Sequence, residues 1–400
     1  MLKSAILFLV IFIFTYTATP MSFFSSASQG VGLRQYMTTA RGMGMGGVGL
    51  ALPDNRALNE LNVASWRNIN DTRFSLHYRY EVNLLSFSNA DFSSSSGIFN
   101  GAAFAVPIKK HKWVFGISIL PYTLVDFSST QTLSTGDETY DENIFFKGGI
   151  TRGQVNLVWS PTRRVGLAGS FHYYFGTIRD RYQNIFNNDE FYNSNSEMSY
   201  RFLGPGAGLS VDFQVFDSLF IGGFLDMKPD LTFTRTLQSP VKSEKEEYET
   251  SSTFPVSWGL GSSFTFAQKW TIAADVAFQK WSEGFDIPGI SLSQLEDWRQ
   301  FGFGIEHAHL AKREKSFFNR MDLRAGFSFG NIGYKFNNRS VTEYAVHGGM
   351  GFPFYQDRAR FDIALKAGIR GDRSNTIAQE KFFQFSLSVS GGELWFQKFR

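Results

Sequence analysis

From residue 72 onward the chain alternates apolar and polar residues with a period of two. Phe74, Leu76, Tyr78, Tyr80, Val82 and Leu84 lie on one side of the first run, with Ser75, His77, Arg79, Glu81 and Asn83 on the other. Strict alternation over such a length predicts a strand with one apolar and one wet face. The pattern returns as Phe254, Val256, Trp258, Leu260, Phe264 and Phe266 against Ser257, Gly259, Gly261, Ser263 and Thr265. It returns again as Trp270, Ile272, Ala274, Val276 and Phe278, and last as Phe383, Phe385, Leu387 and Val389. About fourteen such segments occur, an even number as in bacterial single-chain barrels. The weakest is 144–159, where the pattern slips at Gly148 and Gly149 and a bulge is expected.

Alternation alone fits both a soluble sandwich and a membrane barrel, and connection lengths decide between them. Short links at 109–112, 160–164, 216–218 and 267–269 alternate with long ones at 128–143, 178–198, 228–252 and 281–297. Short turns at one rim and long loops at the other are the outer-membrane pattern. The link 309–320 is long where a short turn is due. Trp113, Trp159, Trp270, Trp281 and Trp395 at strand ends suit interfacial girdles. The predicted fold is all-β, a transmembrane antiparallel β-barrel of about 14 strands with an N-terminal lumen plug. Composition agrees: aromatics reach 17% with 44 Phe, yet mean hydropathy is only -0.17, because polar neighbours separate the apolar residues. There is no Cys, which excludes disulfides, thiolate metal sites and a lipoprotein anchor. A net charge of +3 gives no reason to expect a nucleic-acid partner.

Lys3, an apolar core at 5–14 and small or polar residues after it read as a secretory signal peptide, taken as residues 1–28 with the cleavage point open. Residues 29–71 show no alternation and are assigned to the plug, and residues 72–400 to the barrel. The run Gly44-Met45-Gly46-Gly47-Val48-Gly49 matches a dinucleotide fingerprint in form only. No buried strand precedes it and Pro53 follows it. Glycines there instead let a backbone thread a narrow space. A lumen of about fourteen strands is too wide for side chains to fill, so it is either open or plugged. Small inward residues such as Gly101, Ala103, Ala105, Gly116, Ser118, Gly259 and Gly261 leave room for a plug.

Four stretches in order give the chain a resemblance to the FadL-like long-chain fatty-acid transporter family. They are Ala40 to Gly49 leading to Leu61-Asn62-Val63-Ala64-Ser65, then Pro121-Tyr122-Thr123-Leu124, then Ala274-Asp275-Val276 with Lys280-Trp281-Ser282, and Leu323-Arg324-Ala325-Gly326-Phe327. Val63 stands where that family usually has Pro. The resemblance implies plug residues at Arg41, Gly42, Gly44, Gly46, Gly47, Gly49, Asn62, Val63 and Ala64. It also implies passive uptake of hydrophobic molecules, with sideways release into the bilayer. Pro121 supplies a separate reason for that last step, since a mid-strand proline cannot donate to the ladder and marks either a lateral exit or a bulge.

Arg79, Glu81, Asp275 and Arg324 fall on the wet face as lumen polar residues of mixed sign, with Arg41 expected to pair with an acid such as Asp275. Ile185, Phe186, Phe191, Leu231 and Phe233 are apolar for loops and are read as a surface groove for a hydrophobic substrate, or as loop packing. His77, His172 and His347 lie near serines on polar faces, which also suits lumen packing. His307 and His309 share a face with no third ligand close by, so no metal site is assigned. No cofactor and no catalysis are expected. The function expected is an outer-membrane transporter for hydrophobic small molecules such as long-chain fatty acids, acting as a monomer among outer-membrane lipids. The alternative is a barrel that serves as a protein-secretion or surface-assembly partner.

Overall fold

The computed structural model describes residues 22–26, 31–86, 91–135, 138–186, 191–239, 245–283, 294–309, 320–354, 358–373 and 378–393. A short helix α1 (Phe23–Ser26), a two-residue strand β1 (Leu33–Arg34), a helix α2 (Ala40–Gly44) and a 3-10 turn (Val63–Asn68) precede the wall. The wall is built from β2 (Thr72–Ser86), β3 (Asp91–Lys109), β4 (Trp113–Thr135), β5 (Glu138–Thr162), β6 (Val165–Phe186) and β7 (Ser194–Phe216). It continues with β8 (Leu219–Asp226), β9 (Leu231–Gln238), β10 (Glu246–Ser252), β11 (Ser257–Phe266), β12 (Trp270–Gln279) and β13 (Trp298–His307). The last strands are β14 (Asp322–Phe336), β15 (Arg339–Phe354), β16 (Ala359–Arg370) and β17 (Gln379–Glu393).

Consecutive strands pair antiparallel, and β17 closes on β2 along its whole length. Two of the wall strands are interrupted. β8 and β9 both pair with β7, and β10 and β11 continue one another past Pro255, so the closed barrel has 14 strands. The burial pattern is inverted relative to a soluble protein. Phe74 and Leu76 are about half exposed, whereas Ser75, His77, Arg79, Glu81 and Asn83 are buried. Trp258, Leu260 and Phe264 face outward against buried Ser257 and Ser263. An outer face this apolar is stable only against hydrocarbon, and the polar groups inside must satisfy one another.

The long connections expected at 128–143, 178–198 and 228–252 are mostly strand. β4 to β7 run for 23, 25, 22 and 23 residues, against 10 for β11, β12 and β13. A tilted crossing needs only about 9–11 residues, so this side of the wall rises well past the apolar band. The strand pattern continued there without its outer apolar face, which is why it read as loop. Residues 284–293 of the fourth long connection and 310–319 of the unexpectedly long turn lie outside the described residues, as does Trp395. Trp159 and Trp270 face outward as girdle residues do, but Trp281 is fully buried, its ring 5.1 Å from that of Tyr334. Gly148 and Gly149 pair regularly with Val125 and Leu124, and the register shift lies just beyond them, between Pro121 and Thr123 on β4 opposite Ile150 and Thr151, so the bulge belongs to the partner strand.

The outer face gives the first test. Phe303 points outward from the middle of β13 and is 54% exposed. Phe303→Arg should destabilise the folded barrel in vesicles by roughly 2–4 kcal/mol. Urea titration read by heat-modifiable gel migration checks this, and an unchanged midpoint would contradict the apolar band.

Candidate functional site

The N-terminal segment packs inside the barrel, and local sequence chemistry sets its shape. Thr39 caps α2 by accepting from the Gly42 amide (3.2 Å), and Gly46 and Gly47 then turn the chain with φ of +79° each. Asn62 caps the 3-10 turn, accepting from the Ala64 amide (3.1 Å) and donating to the carbonyls of Leu50 (2.5 Å) and Val211 (2.9 Å). Val63 is the first buried residue of that turn. At several points where the segment's backbone lies against the wall, the wall residue is glycine. A Cβ on Gly302, Gly304 or Gly326 would strike the Met45–Gly46 backbone. A Cβ on Gly222, Gly259 or Gly261 would strike Leu50, and one on Gly116 would strike Trp66. Gly44 approaches Gly349 backbone to backbone.

Charges lock this fit. Arg41 donates to Glu306 on β13 (3.0 and 2.5 Å) and to Asp54 (3.0 Å). Glu306 also accepts from Arg324 (2.7 Å), and Arg324 reaches Asp362 (2.7 Å). Asp362 accepts from Arg360 (2.7 Å), which returns to Asp54 at 2.6 Å. Three guanidinium groups and three carboxylates therefore form one closed ring of alternating sign. The N-terminal segment contributes Arg41 and Asp54 and the wall the other four members. Burial raises the Asp54 carboxyl, but Arg360 and Arg41 beside it more than compensate and hold it well below its ordinary value.

Asp275 is not the partner of Arg41. Its carboxylate accepts the Gly49 (2.6 Å) and Leu50 (2.8 Å) amides and holds the glycine-rich backbone instead. Arg79 donates to Gln35 (2.5 Å), and Glu81 takes Arg370 (3.1 Å) and Gln384. His77 lies between Ser388 (2.7 Å) and Glu60 (2.8 Å), while the Ser388 hydroxyl accepts from the Ala40 amide (2.8 Å). This buried Ser–His–Glu line ties the segment to the wall. Arg67 binds Asp212 (2.5 Å) and the Arg163 carbonyl (2.6 Å). The sequence reading omitted Asp54, Glu60, Arg67 and Arg360 as site residues. Only Arg360 had a signal, being on the same strand face as Asp362.

Pro121 marks a break in the wall. The β3–β4 ladder runs from Lys109↔Trp113 to Ala102↔Ile119 and goes no further, although both strands continue. The N-terminal segment occupies the freed edge of β4. Leu33 pairs with Leu124 and Arg34 with Thr123, the Gln35 amide donates to the Tyr122 carbonyl (2.9 Å), and the Ser22 amide to the Asp126 carbonyl (3.1 Å). Glu380 fixes the far end of this strap through Ser22 Oγ (2.8 Å) and the Phe23 amide (3.1 Å). Beside the strap lies a packed apolar cluster that includes Phe24, Tyr122, Phe202, Phe233 and Phe254.

The residues read as a loop groove divide between two places. Leu231 and Phe233 are fully buried on β9 within that cluster. Ile185, Phe186 and Phe191 sit at the tip of the β6–β7 hairpin, with Phe186 and Phe191 stacked at 5.2 Å. Strand alternation turned the first pair inward, so no single groove joins all five. The cavities left between segment and wall measure about 90, 40 and 20 Å³. No group of three or more metal-ligating side chains occurs among the described residues.

A family model described as BamG matches residues 1–400. Comparison with curated proteins finds no match. Among solved structures, a FadL homologue of Pseudomonas aeruginosa superposes with a TM-score of 0.63 at 12% identity, covering 90% of this chain and 100% of that one. The toluene transporter TbuX of Ralstonia pickettii gives 0.60 at 16% identity, covering 89% and 98%. The toluene transporter TodX of P. putida gives 0.57 at 14%, covering 92% and 99%. At these identities the likeness is one of fold.

The ring predicts how the segment comes loose. Arg41→Ala strands Glu306 and Asp54 beside fewer cations, which should weaken docking by about 3–5 kcal/mol. Limited proteolysis of the folded barrel should then cut within 40–60, and Arg41→Lys should fall between the two. Resistance equal to the native protein would remove the ring from the account. Because the folded-state pKa of Asp54 is depressed, its contribution is complete above the ordinary 3.8 and is lost only as pH falls below it. Protease resistance should therefore be flat from about pH 7 to 5.

Proposed function

As the chain belongs to the BamG family, we propose that it is a plugged outer-membrane barrel that works as a partner in assembly with the Bam complex, not as an open conduit. The observation that carries this reading is the filled lumen. Sites for small hydrophobic ligands occupy about 300–1,000 Å³, whereas three spaces between segment and wall among the described residues measure about 90, 40 and 20 Å³. Bare glycine walls, the six-membered ion ring and the strap on β4 all favour a segment that stays in place. In this reading residues 22–26 and 31–71 belong to the plug and the leader ends before Ser22, a boundary supported by the bonds from Ser22 and Phe23 to Glu380. The apolar outer face supports residence in the outer membrane, with the short-turn rim on the periplasmic side.

One observation favours a second reading, gated uptake of hydrophobic small molecules such as fatty acids with lateral release. The β3–β4 ladder stops short of Pro121, and only a strap covers the freed edge beside a packed apolar cluster. On this reading Phe23 and Phe24 would withdraw to admit cargo.

Two measurements separate these readings. Affinity purification from native membranes in mild detergent should recover Bam subunits with the tagged chain, and planar bilayers should show no steady conductance until residues 30–70 are deleted. Failure to recover any Bam subunit, with facilitated fatty-acid uptake into vesicles, would reverse the order. In this Cys-free chain, Leu33→Cys with Leu124→Cys spans a direct antiparallel pair, a spacing a disulfide can bridge. The bridge should leave Bam recovery unchanged. Under the transport reading it should block uptake until reduced.

A further inference from the structure

Two features on the outside of the barrel fall on the same strands. The first is a depression of about 660 Å³ in the apolar face between β4 and β11. Outward-facing Gly169 and Gly223 form its floor, and a Cβ placed on Gly169 would meet open space. Leu157, Leu167, Leu209 and Leu260, each 39–53% exposed, stand around it. Trp159, with Trp113 stacked on it at 6.0 Å, marks its lower edge.

The second feature is charge. The short turns below the depression carry Lys109, Lys110, Lys112, Arg163, Arg164 and Lys269, all exposed, against a single exposed carboxylate, Asp217. Asp217 pairs with Arg164 at 3.3 Å. The other five cations form no ion pair among the described residues. Apolar residues sit directly beside these cations: Ile108 is 68% exposed and Phe216 63%. An arc that alternates bare cations with aromatic and aliphatic side chains matches the headgroup level of a bilayer. Arg164 is three residues from Leu167, a rise of about 10 Å.

We propose that this face is a binding site for an anionic diacyl phospholipid of the periplasmic leaflet. The acyl chains fill the Gly169–Gly223 depression, and the phosphate is held by Lys112, Arg163 and Arg164. An acidic protein would match the rim but not the depression, whereas a diacyl phospholipid matches both. The inference needs only that the barrel resides in a bilayer, and it is independent of the choice between assembly and transport.

The test uses the full-length protein in nanodiscs of phosphatidylethanolamine with phosphatidylglycerol, followed by native mass spectrometry of the lipids retained on release. The native chain should retain phosphatidylglycerol in preference to phosphatidylethanolamine. Replacing Lys112, Arg163 and Arg164 by Gln should cut that preference by about tenfold or more, since each surface cation acts on the headgroup charge. Gly169→Phe fills the depression and should lower retention of both lipids without changing the preference. Heat-modifiable migration of each variant confirms that it is folded. Equal retention of the two lipids by the native chain, or an undiminished preference in the triple variant, would overturn the proposal. A triple variant that binds lipid normally but no longer recovers a protein partner would assign the rim to an acidic protein and overturn it as well.

Discussion

The ring Arg41–Glu306–Arg324–Asp362–Arg360–Asp54 is the constraint around which the lumen is arranged. A barrel in hydrocarbon has to turn its charges inward, and a charge out of water is costly unless it is paired and hydrogen-bonded. Alternation around a closed ring gives every guanidinium two carboxylates and every carboxylate two guanidinium groups. The ring closes only when the N-terminal segment is docked. Without Arg41 and Asp54, the wall keeps two cations and two anions with unmatched bonds. The bare glycines on β13 and β14 follow from this, because the ring brings the Met45–Gly46 backbone against the wall and leaves no room for a Cβ.

A second constraint acts at the other end of the segment. The β3–β4 ladder stops at Ile119, and an unpaired sheet edge at that height would leave backbone groups exposed to apolar surroundings. Residues 22–26 and 33–35 supply partners from inside the barrel. The strap is anchored at Ser22 and Phe23 by Glu380, a wall residue that also pairs with Arg370 (3.2 Å), and at Arg34 by the Tyr122 ring 4.3 Å away. The strap is held mostly by backbone bonds and apolar packing, whereas the ring is held by charge.

The sequence carried the wall far better than it carried the interior contacts. Period-two alternation is a local property, so strand number and the inward set containing Arg79, Glu81, Asp275 and Arg324 could be read directly. Which acid meets which base is non-local. Arg41 and Glu306 are 265 residues apart, and nothing in the pattern prefers Glu306 to Asp275. Asp54 and Glu60 lie in a stretch without periodicity and therefore gave no signal. The alternation at Leu231 and Phe233 was present but was assigned to a loop, because the outer face of the strand there had become polar. Pro121 was legible as a defect, since a missing donor is a property of one residue. That the N-terminal strap would cover the resulting edge was not.

A lumen this full moves the functional question to the outside. In a wide channel the inward face discriminates among solutes, and the outer face only has to be apolar. Here much of the inward face is committed to the segment it holds, so on the assembly reading specificity comes from surfaces that lipid or partner chains can reach. Two of these depart from a uniform barrel: the wall of β4 to β7 that continues past the apolar band, and the small-floored depression above the basic turns. Both occupy the half of the circumference running from β4, whereas β12 and β13 are only 10 residues long. Neighbouring chains therefore meet a tall, concave side and a short side, and this asymmetry can orient the barrel within a larger assembly without any change inside it.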